Sequence, residues 1–243
     1  MGRATLSVFR GDSKSSQYRT YVVETYEGMV VLDAIHQIQA KQASDLACRW
    51  NCKAGKCGSC SAEINGRPKL MCMARMDRYE STGEITVEPM KAFPLIKDLV
   101  TDVSWNYEVN KKIPAFKPKP PEADGTWRMQ QYDVDRVQEF RKCIECFLCQ
   151  NVCHVVRDHG RKDAFGGPRF LVRAASLEMH PLDVEDRSEL IKDVLGSGYC
   201  NITKCCTEVC PESIKITDNA IIPLKERLVT RFFDPVARLF DSL

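Results

Sequence analysis

The cysteines of this 243-residue chain are spaced in ways that could bind iron–sulfur clusters. Thirteen are present, and eleven of them fall into ligand-like runs. The run from Cys143 to Cys153 has the spacing C-x2-C-x2-C-x3-C, which bacterial ferredoxins use around a cubane cluster. The short gaps let one tight turn direct three thiolates at one inorganic core, whereas the fourth cysteine ligates the other cluster of a two-cluster ferredoxin. The run therefore predicts one cubane cluster and a contribution to a second.

A second run, from Cys200 to Cys210, is similar to the first. It has the same spacing, but Thr203 stands where the second cysteine would be. Exchange of the fourth cysteines between the runs predicts a [4Fe–4S] cluster on Cys143, Cys146, Cys149 and Cys210, and a [3Fe–4S] cluster on Cys153, Cys200 and Cys206. Cys205 is an alternative fourth ligand of the second cluster, although two consecutive residues rarely direct both side chains at one core.

A third run has the plant-type [2Fe–2S] spacing C-x4-C-x2-C, with a later cysteine available. Its predicted ligands are Cys52, Cys57, Cys60 and Cys72. Gly55 and Gly58 permit the positive φ angles that bring backbone N–H groups close to the sulfurs. The Asn65-Gly66 dipeptide predicts a type I′ hairpin that folds Cys72 back beside the loop.

Zinc binding and non-ligand roles are the alternatives to cluster binding for these cysteines and for the histidines. Structural zinc favours paired C-x2–4-C knuckles, which the x4–x2 triplet and the interlocked runs fit poorly. Cys48 fits no template and is interpreted as a spare, half-buried thiol. His36 and His180 are interpreted as core or surface residues, and His159 is of interest only for its position near the first cubane run.

Composition excludes several other classes of protein. The 35 basic and 33 acidic residues give a net charge of +2, so no nucleic-acid partner is predicted. The odd cysteine count argues against a disulfide framework. The N-terminus resembles neither a signal peptide nor a transit peptide, and no run of 18 apolar residues predicts a membrane span.

The predicted elements place these runs in an α+β chain. Strands at 4–9, 19–26 and 84–88, with a helix near 30–42, follow the order of a β-grasp ferredoxin. Four prolines between residues 113 and 121 predict a stiff connector. The sequence thus predicts a β-grasp [2Fe–2S] domain, a Pro-rich connector and an α-helical bacterial-type ferredoxin domain, at residues 1–108, 109–125 and 126–243. A Gly167-Pro168 pair predicts a helix start in the last of these.

Three cluster runs in this order resemble the iron–sulfur subunit of succinate dehydrogenase and fumarate reductase, respiratory complex II. The resemblance covers nearly the whole chain and is carried by residues 51–60 with Cys72, by Cys143–Cys153 and by Cys200–Pro211. It implies an electron-transfer subunit without substrate chemistry of its own. Electrons would pass from FAD in a flavoprotein partner, which holds the dicarboxylate site, through [2Fe–2S], [4Fe–4S] and [3Fe–4S] to a quinone beside membrane-anchor subunits.

The resemblance favours a succinate:quinone oxidoreductase peripheral to the cytoplasmic face of a prokaryotic membrane. A quinol:fumarate reductase subunit, a subunit of another flavin-linked dehydrogenase, and a free-standing ferredoxin-like carrier or redox sensor are the alternatives. The chain departs from the family at the quinone end: His154 replaces a common proline, Asp158 falls near a quinone-contacting tryptophan, and Asn201 replaces a histidine. His154, Asp158, Asn201 and Lys204 are therefore the predicted quinone-proximal residues. The stretch 227–240 is interpreted either as a partner- or membrane-docking segment or as a helix closing the core.

Overall fold

The computed structural model describes residues 2–235, which form two compact units. The first unit comprises residues 2–103 together with 144–152, and the second comprises residues 104–143 together with 153–235. These bounds differ from the predicted ones in three ways. Residues 104–108 belong to the second unit, the connector belongs to the second unit, and a short segment from the middle of the first cubane run belongs to the first unit.

The first unit is built on a five-stranded mixed sheet with strand order β2-β1-β5-β3-β4. β1 pairs antiparallel with β2 and parallel with β5, and β3 pairs antiparallel with both β4 and β5. The strands are β1 (Gly2–Gly11), β2 (Ser16–Thr25), β3 (Ser61–Ile64), β4 (Arg67–Leu70) and β5 (Glu84–Glu88). The predicted strands and the β-grasp order are confirmed.

Helix α1 (Val31–Lys41) covers this sheet, as the helical spacing of its apolar residues predicts. Its inward face consists of Val31, Leu32, Ala34, Ile35 and Ile38, all of them buried. The strands supply the other side of the core, with Leu6, Val8, Ile85 and Val87 at 3% exposure or less. The cluster loop that follows α1 therefore starts from a rigid, apolar base.

The predicted hairpin between Cys60 and Cys72 is present. Ile64 pairs with Arg67, and Asn65 and Gly66 both have positive φ, at 48° and 71°. Positive φ at both central residues defines the type I′ turn, which matches the twist of the flanking strands. The backbone N–H of Met71 donates to the carbonyl of Cys60 at 3.0 Å. The hairpin thus returns Cys72 to the neighbourhood of Cys60.

Residues 95–101 form a short hairpin of β6 (Leu95–Lys97) and β7 (Val100–Thr101). Its turn residue Asp98 is 1% exposed and accepts from Arg10 Nε at 3.1 Å. Asp98 also accepts from the backbone N–H groups of Gly11 and Ala47, at 2.7 and 2.8 Å. One buried carboxylate therefore joins β1 to the chain just before the first cluster loop.

The second unit is helical, as predicted. Its α-helices are α2 (Ser104–Lys111), α3 (Gln131–Gln138), α5 (His154–Arg157), α6 (Pro168–Glu178), α7 (Cys205–Glu208) and α8 (Ile222–Phe233), while α4 (Leu148–Val152) belongs to the first unit. Pro168 opens α6, which confirms that helix start. Within residues 2–235 no helix is long and apolar enough to cross a membrane. The structure describes the stretch 227–240 only to residue 235. Helix α8 overlaps this stretch and contributes the buried side chains of Leu224 and Leu228 to the core.

The Pro-rich connector joins the second unit because a buried arginine binds it. Arg187 is 1% exposed and donates to the carbonyls of Pro114 and Ala115 at 3.2 and 2.7 Å. The same guanidinium lies 3.0 Å from the carboxylate of Asp183, whose backbone forms an antiparallel bridge with Pro118. Prolines supply no N–H donors but keep their carbonyls, to which the N–H groups of an arginine can donate.

Candidate iron–sulfur cluster sites

The first cluster loop carries the four predicted [2Fe–2S] residues within the first unit. Cys52 is exposed, Cys57 is half-buried, and Cys60 and Cys72 are buried. The backbone N–H groups of Ala54 and Lys56 each donate to Cys52 Sγ at 3.3 Å. Gly55 and Gly58 have φ of 67° and 68°, as the sequence predicts. N–H groups directed at a cysteine sulfur stabilise the thiolate, and such bonds tune the potential of a cluster.

The four thiols differ in how readily they ionise. Burial raises the pKa of Cys60 to about 12. Burial also opposes ionisation of Cys57, but hydrogen bonds from Ser59 and Cys52 outweigh it and lower the pKa of Cys57 to about 6. A buried thiolate needs compensating positive charge, which cluster iron supplies. The donor set and the surrounding backbone N–H groups therefore fit an iron–sulfur cluster.

The segment that carries Cys146 and Cys149 is held against this loop by contacts that the sequence did not predict. Ser61 Oγ donates at 2.9 Å to the carbonyls of both Gly58 and Cys146. A Cβ on Gly58 would lie 2.6 Å from the Cα of Cys146, so only glycine permits this approach. The cysteine spacing around Gly58 predicted its positive φ. The contact between Gly58 and Cys146 could not be predicted, because the two residues are 88 positions apart and no local pattern links them.

A buried polar bridge fixes the same segment. Asn151, on α4 and 0% exposed, accepts from the backbone N–H of Ala92 and donates to Glu63 Oε1, both at 2.9 Å. Glu63 is also 0% exposed and lies 3.5 Å from Lys91 Nζ. Buried polar groups require such partners, so the bridge selects one position for α4 on the sheet.

The two cubane loops have the same backbone conformation. Cys143 and Cys200 are extended, with φ and ψ of −65° and 116° against −73° and 120°. The residues two positions later are left-handed, with φ of 56° at Glu145 and 63° at Ile202. The residues four positions later are left-handed too, with φ of 59° and 63°. In each loop an α-helix then begins five positions after the first cysteine, as α4 and α7.

This match puts Thr203 at the position of Cys146 and Cys205 at the position of Leu148. Left-handed backbone costs an L-residue about 1–2 kcal/mol, and it is rare for a β-branched residue such as Ile202. Such outliers concentrate at functional sites, where the surroundings enforce them. The repeated conformation therefore reflects a shared task in the two loops.

The predicted [3Fe–4S] residues meet in one cavity of the second unit. Cys153, Cys200 and Cys206 all line it, together with Thr203 and Cys205. Its other walls are residues of α5, α6, the segment between these helices, the 200–204 loop and the 216–221 turn: His154, Val155, Phe165, Pro168, Asn201, Lys204, Thr217 and Ile221. Four thiols and two hydroxyl groups thus line this space, together with apolar and polar side chains.

Burial dominates the electrostatics of this cavity. It raises the pKa of Cys153 and of Cys206 to about 11. Thr217 Oγ1, on a fully buried residue, lies 3.5 Å from Cys206 Sγ and favours its thiolate. Lys225 Nζ donates to the carbonyl of Cys200 at 2.5 Å. Thr217 and Lys225 were missed by sequence reasoning because they lie in segments without a motif.

The predicted [4Fe–4S] residues are divided between the two units. Cys146 and Cys149 are buried in the first unit, whereas Cys143 and Cys210 are half-buried in the second. Burial raises the pKa of Cys210, Cys143 raises it further, and the backbone N–H of Ile214 lies 3.4 Å from Cys210 Sγ. Ligation of one cluster by all four remains a prediction.

Three of the four predicted quinone-proximal residues line the [3Fe–4S] cavity: His154, Asn201 and Lys204. The Nε2 of His154 lies 2.8 Å from Nδ2 of Asn201, and its ring centroid lies 5.9 Å from that of His159. Lys204 Nζ forms a 2.7 Å ion pair with Asp218. Asp158 ends α5, pairs with Arg157 at 3.6 Å and is not among the residues that line this cavity.

Cys48 is half-buried, donates weakly to the carbonyl of Arg49 at 3.5 Å, and has a pKa raised by burial to about 12. It is therefore a protonated thiol at neutral pH, in line with its interpretation as a spare thiol. His36 packs edge-on against Trp50, with centroids 4.7 Å apart, and burial lowers its pKa.

Three comparisons with known proteins give consistent matches. Residues 5–108 match the family described as "2Fe-2S iron-sulfur cluster binding domain". The fumarate reductase iron–sulfur subunit of Mycobacterium tuberculosis is 31% identical over 218 residues, covering 86% of this chain and 85% of that one. The corresponding subunit of Wolinella succinogenes is 31% identical over 244 residues, covering 95% and 99%. A chain in the solved structure "Mycobacterium smegmatis Sdh1 complex in the apo form" is 62% identical, with a TM-score of 0.92 and coverage of 96% and 98%.

Proposed function

Because the chain belongs to the family of iron–sulfur subunits of succinate dehydrogenases and fumarate reductases, we propose that it carries three clusters in series. The [2Fe–2S] cluster is bound by Cys52, Cys57, Cys60 and Cys72. The [4Fe–4S] cluster is bound by Cys143, Cys146, Cys149 and Cys210, and the [3Fe–4S] cluster by Cys153, Cys200 and Cys206. Electrons enter from FAD in a flavoprotein partner and leave to a quinone.

The observation that carries this proposal is the matching backbone of the two cubane loops. Since the loops agree at four successive features, Thr203 stands at the corner that Cys146 occupies in the first loop. A threonine hydroxyl is a poor ligand for iron, and soft thiolates are the ordinary cluster ligands. The second site therefore has three ligand thiols and favours a three-iron core.

Succinate oxidation is the favoured direction. The 62% identity to a chain of the M. smegmatis Sdh1 complex supports it, whereas the relatives named fumarate reductases are only 31% identical. Fumarate reduction is the second candidate. Assays of the purified complex with low- and high-potential quinones separate the two, because the driving force depends on the quinone.

Within residues 2–235 the chain has no helix that could span a membrane. We place it on the cytoplasmic face of a prokaryotic membrane, between a flavoprotein and membrane-anchor subunits. Co-purification of the tagged chain from detergent-solubilised membranes with flavin and anchor chains tests this assignment. Recovery of a soluble chain that carries its clusters without partners would point to a free-standing carrier.

His154 and Asn201 line the cavity of Cys153, Cys200 and Cys206, which we call the three-iron cavity. They form a polar pair that is suited to donate and accept quinone protons. Lys204 and Asp158 complete the proposed quinone-proximal set. Alanine substitution of each residue should lower quinone reductase activity while electron transfer to a soluble artificial acceptor persists. Unchanged quinone reduction in all four variants would remove this part of the proposal.

Electron paramagnetic resonance of the purified complex tests the cluster assignment directly. The oxidised sample should give the signal of a [3Fe–4S] core, and stepwise reduction should add [2Fe–2S] and [4Fe–4S] signals. A second [4Fe–4S] cluster in place of the three-iron signal would contradict the assignment of Thr203 as the vacant corner.

A further inference from the structure

A fourth thiol stands in the three-iron cavity beside the corner that Thr203 leaves without a ligand. Cys205 lines the same cavity as Cys153, Cys200 and Cys206, and it is half-buried. Its Sγ lies 3.3 Å from Oγ1 of Thr203. The Cys205 sulfur therefore lies beside the one residue of the second run that departs from the cysteine spacing.

The fold of the loop does not require a thiol at this position. The equivalent residue of the first loop is Leu148, which begins α4 as Cys205 begins α7 and is 1% exposed. Leu148 serves as an ordinary apolar residue there. A cysteine whose sulfur borders a cluster cavity adds a soft metal ligand to the same backbone.

We infer that Cys205 is a reserve ligand for a fourth iron, so that the second cubane site takes up Fe²⁺ when it is reduced and releases it when it is oxidised. This inference rests on the proposed assignment of a [3Fe–4S] core to Cys153, Cys200 and Cys206. The resting, oxidised site would then contain three irons. The ligand class is a ferrous ion, bound by the open sulfide face and by the Cys205 thiolate.

The step balances without an added oxidant or reductant. One electron from the dicarboxylate-linked partner brings the [3Fe–4S] core to its neutral state. Addition of Fe²⁺ forms three iron–sulfide bonds and one bond to Cys205 Sγ, the thiol proton passes to solvent, and a doubly positive [4Fe–4S] core results. Removal of one electron by the quinone side weakens this core, which loses Fe²⁺ and returns to the oxidised three-iron form.

The test uses the purified complex with its partner subunits. The complex is reduced anaerobically with dithionite, incubated with Fe²⁺ enriched in the Mössbauer-active isotope, and desalted, so that Mössbauer spectra report added iron alone. An untreated, oxidised portion is examined by electron paramagnetic resonance. C205S is compared with the unsubstituted complex, and C48S is the matched control because Cys48 does not line this cavity.

The inference expects the unsubstituted complex and C48S to retain about one added iron per chain with a cluster-type spectrum. C205S should retain none while its oxidised sample keeps the three-iron signal. No uptake by the unsubstituted complex, or equal uptake by C205S, overturns the role of Cys205 and leaves the proposed function intact. Absence of the three-iron signal from the untreated, oxidised complex overturns the cluster assignment itself, and the reserve ligand with it.

Discussion

The two cubane loops share a backbone but are held in different ways. The first loop rests on buried contacts, since Gly58 and Ser61 meet Cys146 directly and Asn151 is enclosed with Glu63. The second loop has the fully buried Thr217 at 3.5 Å from Cys206, and it is flanked by an ion pair between Lys204 and Asp218, whose side chains are 53% and 41% exposed. A loop conformation can therefore be kept by very different surroundings.

The difference indicates that the number of cluster ligands and the stability of the loop conformation depend on different residues. In the proposed assignment, ligand number depends on one side chain, Cys146 or Thr203, at equivalent positions of the two loops. The stability of the loop conformation depends on the neighbours, because buried polar and steric contacts cost more to disturb than surface charges do. Variants that change one property at a time can break or sharpen this comparison.

The largest effect is expected from Thr203→Cys, which should give the second loop the ligand set of the first. A fourth thiolate at the vacant corner would hold a fourth iron permanently, so the oxidised complex should lose its three-iron paramagnetic signal completely. Thr203→Ser keeps a hydroxyl at this corner and is the control, in which the signal should persist. A persistent three-iron signal in T203C would mean that Thr203 and Cys146 are not equivalent.

Gly58→Ala should strongly destabilise the first unit. The new Cβ would lie 2.6 Å from the Cα of Cys146, and residue 58 has a left-handed backbone with φ of 68°. Overpacking and the left-handed backbone together should therefore cost about 2–5 kcal/mol of unfolding free energy. Thermal unfolding and iron content of the purified complex measure the effect.

Gly66→Ala is the matched control for Gly58→Ala. Gly66 has φ of 71°, but its Cβ would meet nothing within 4 Å, so about 1–2 kcal/mol is expected from the backbone alone. Equal losses in the two variants would contradict the close packing of the first cubane loop on Gly58.

Asn151→Ala should cost about 1–3 kcal/mol of unfolding free energy, because it leaves the Ala92 N–H and the Glu63 carboxylate buried without this partner. Asn219→Ala makes the same truncation at an exposed bond to Glu139 and should stay within about 0.5 kcal/mol. Denaturant unfolding compares the two variants. Similar values would show that the buried bridge does not hold α4.

The smallest effect is expected from Asp218→Asn beside the second loop. An exposed ion pair contributes about 0–1 kcal/mol, and added salt should reduce even that contribution. Glu108→Gln, which removes the exposed 2.7 Å pair with Lys111 on α2, is the control and should behave alike. A loss comparable to that of Asn151→Ala would mean that Lys204 and Asp218 anchor the second loop as firmly as the buried bridge anchors the first.

Local signals predicted much of this molecule correctly. Alternating apolar residues gave β1 and β2, helical spacing gave α1, and Asn65-Gly66 gave the type I′ hairpin, because each depends only on neighbours in sequence. The short strands β6 and β7 have no comparable local signal, since their turn residue Asp98 is bound by Arg10, which is far away in sequence.

The division of the chain into units could not be predicted in the same way. The proline-rich connector suggested a boundary on either side of itself, but Arg187, some 70 positions later, binds its carbonyls into the second unit. Likewise, residues 144–152 join the first unit because Gly58, Ser61 and Glu63 lie there to receive them.

The sequence by itself determined which cysteines are predicted as cluster ligands, because soft thiol side chains and their spacing are local properties of three short runs. It also determined that Thr203 breaks the second run. Only the tertiary structure decided that Thr203 and Cys146 hold equivalent positions in loops with the same backbone conformation. It also decided that Cys205 lines the cavity of Cys153, Cys200 and Cys206, and that a buried bridge holds α4. Those facts depend on contacts between residues far apart in sequence, whose partners no local pattern specifies.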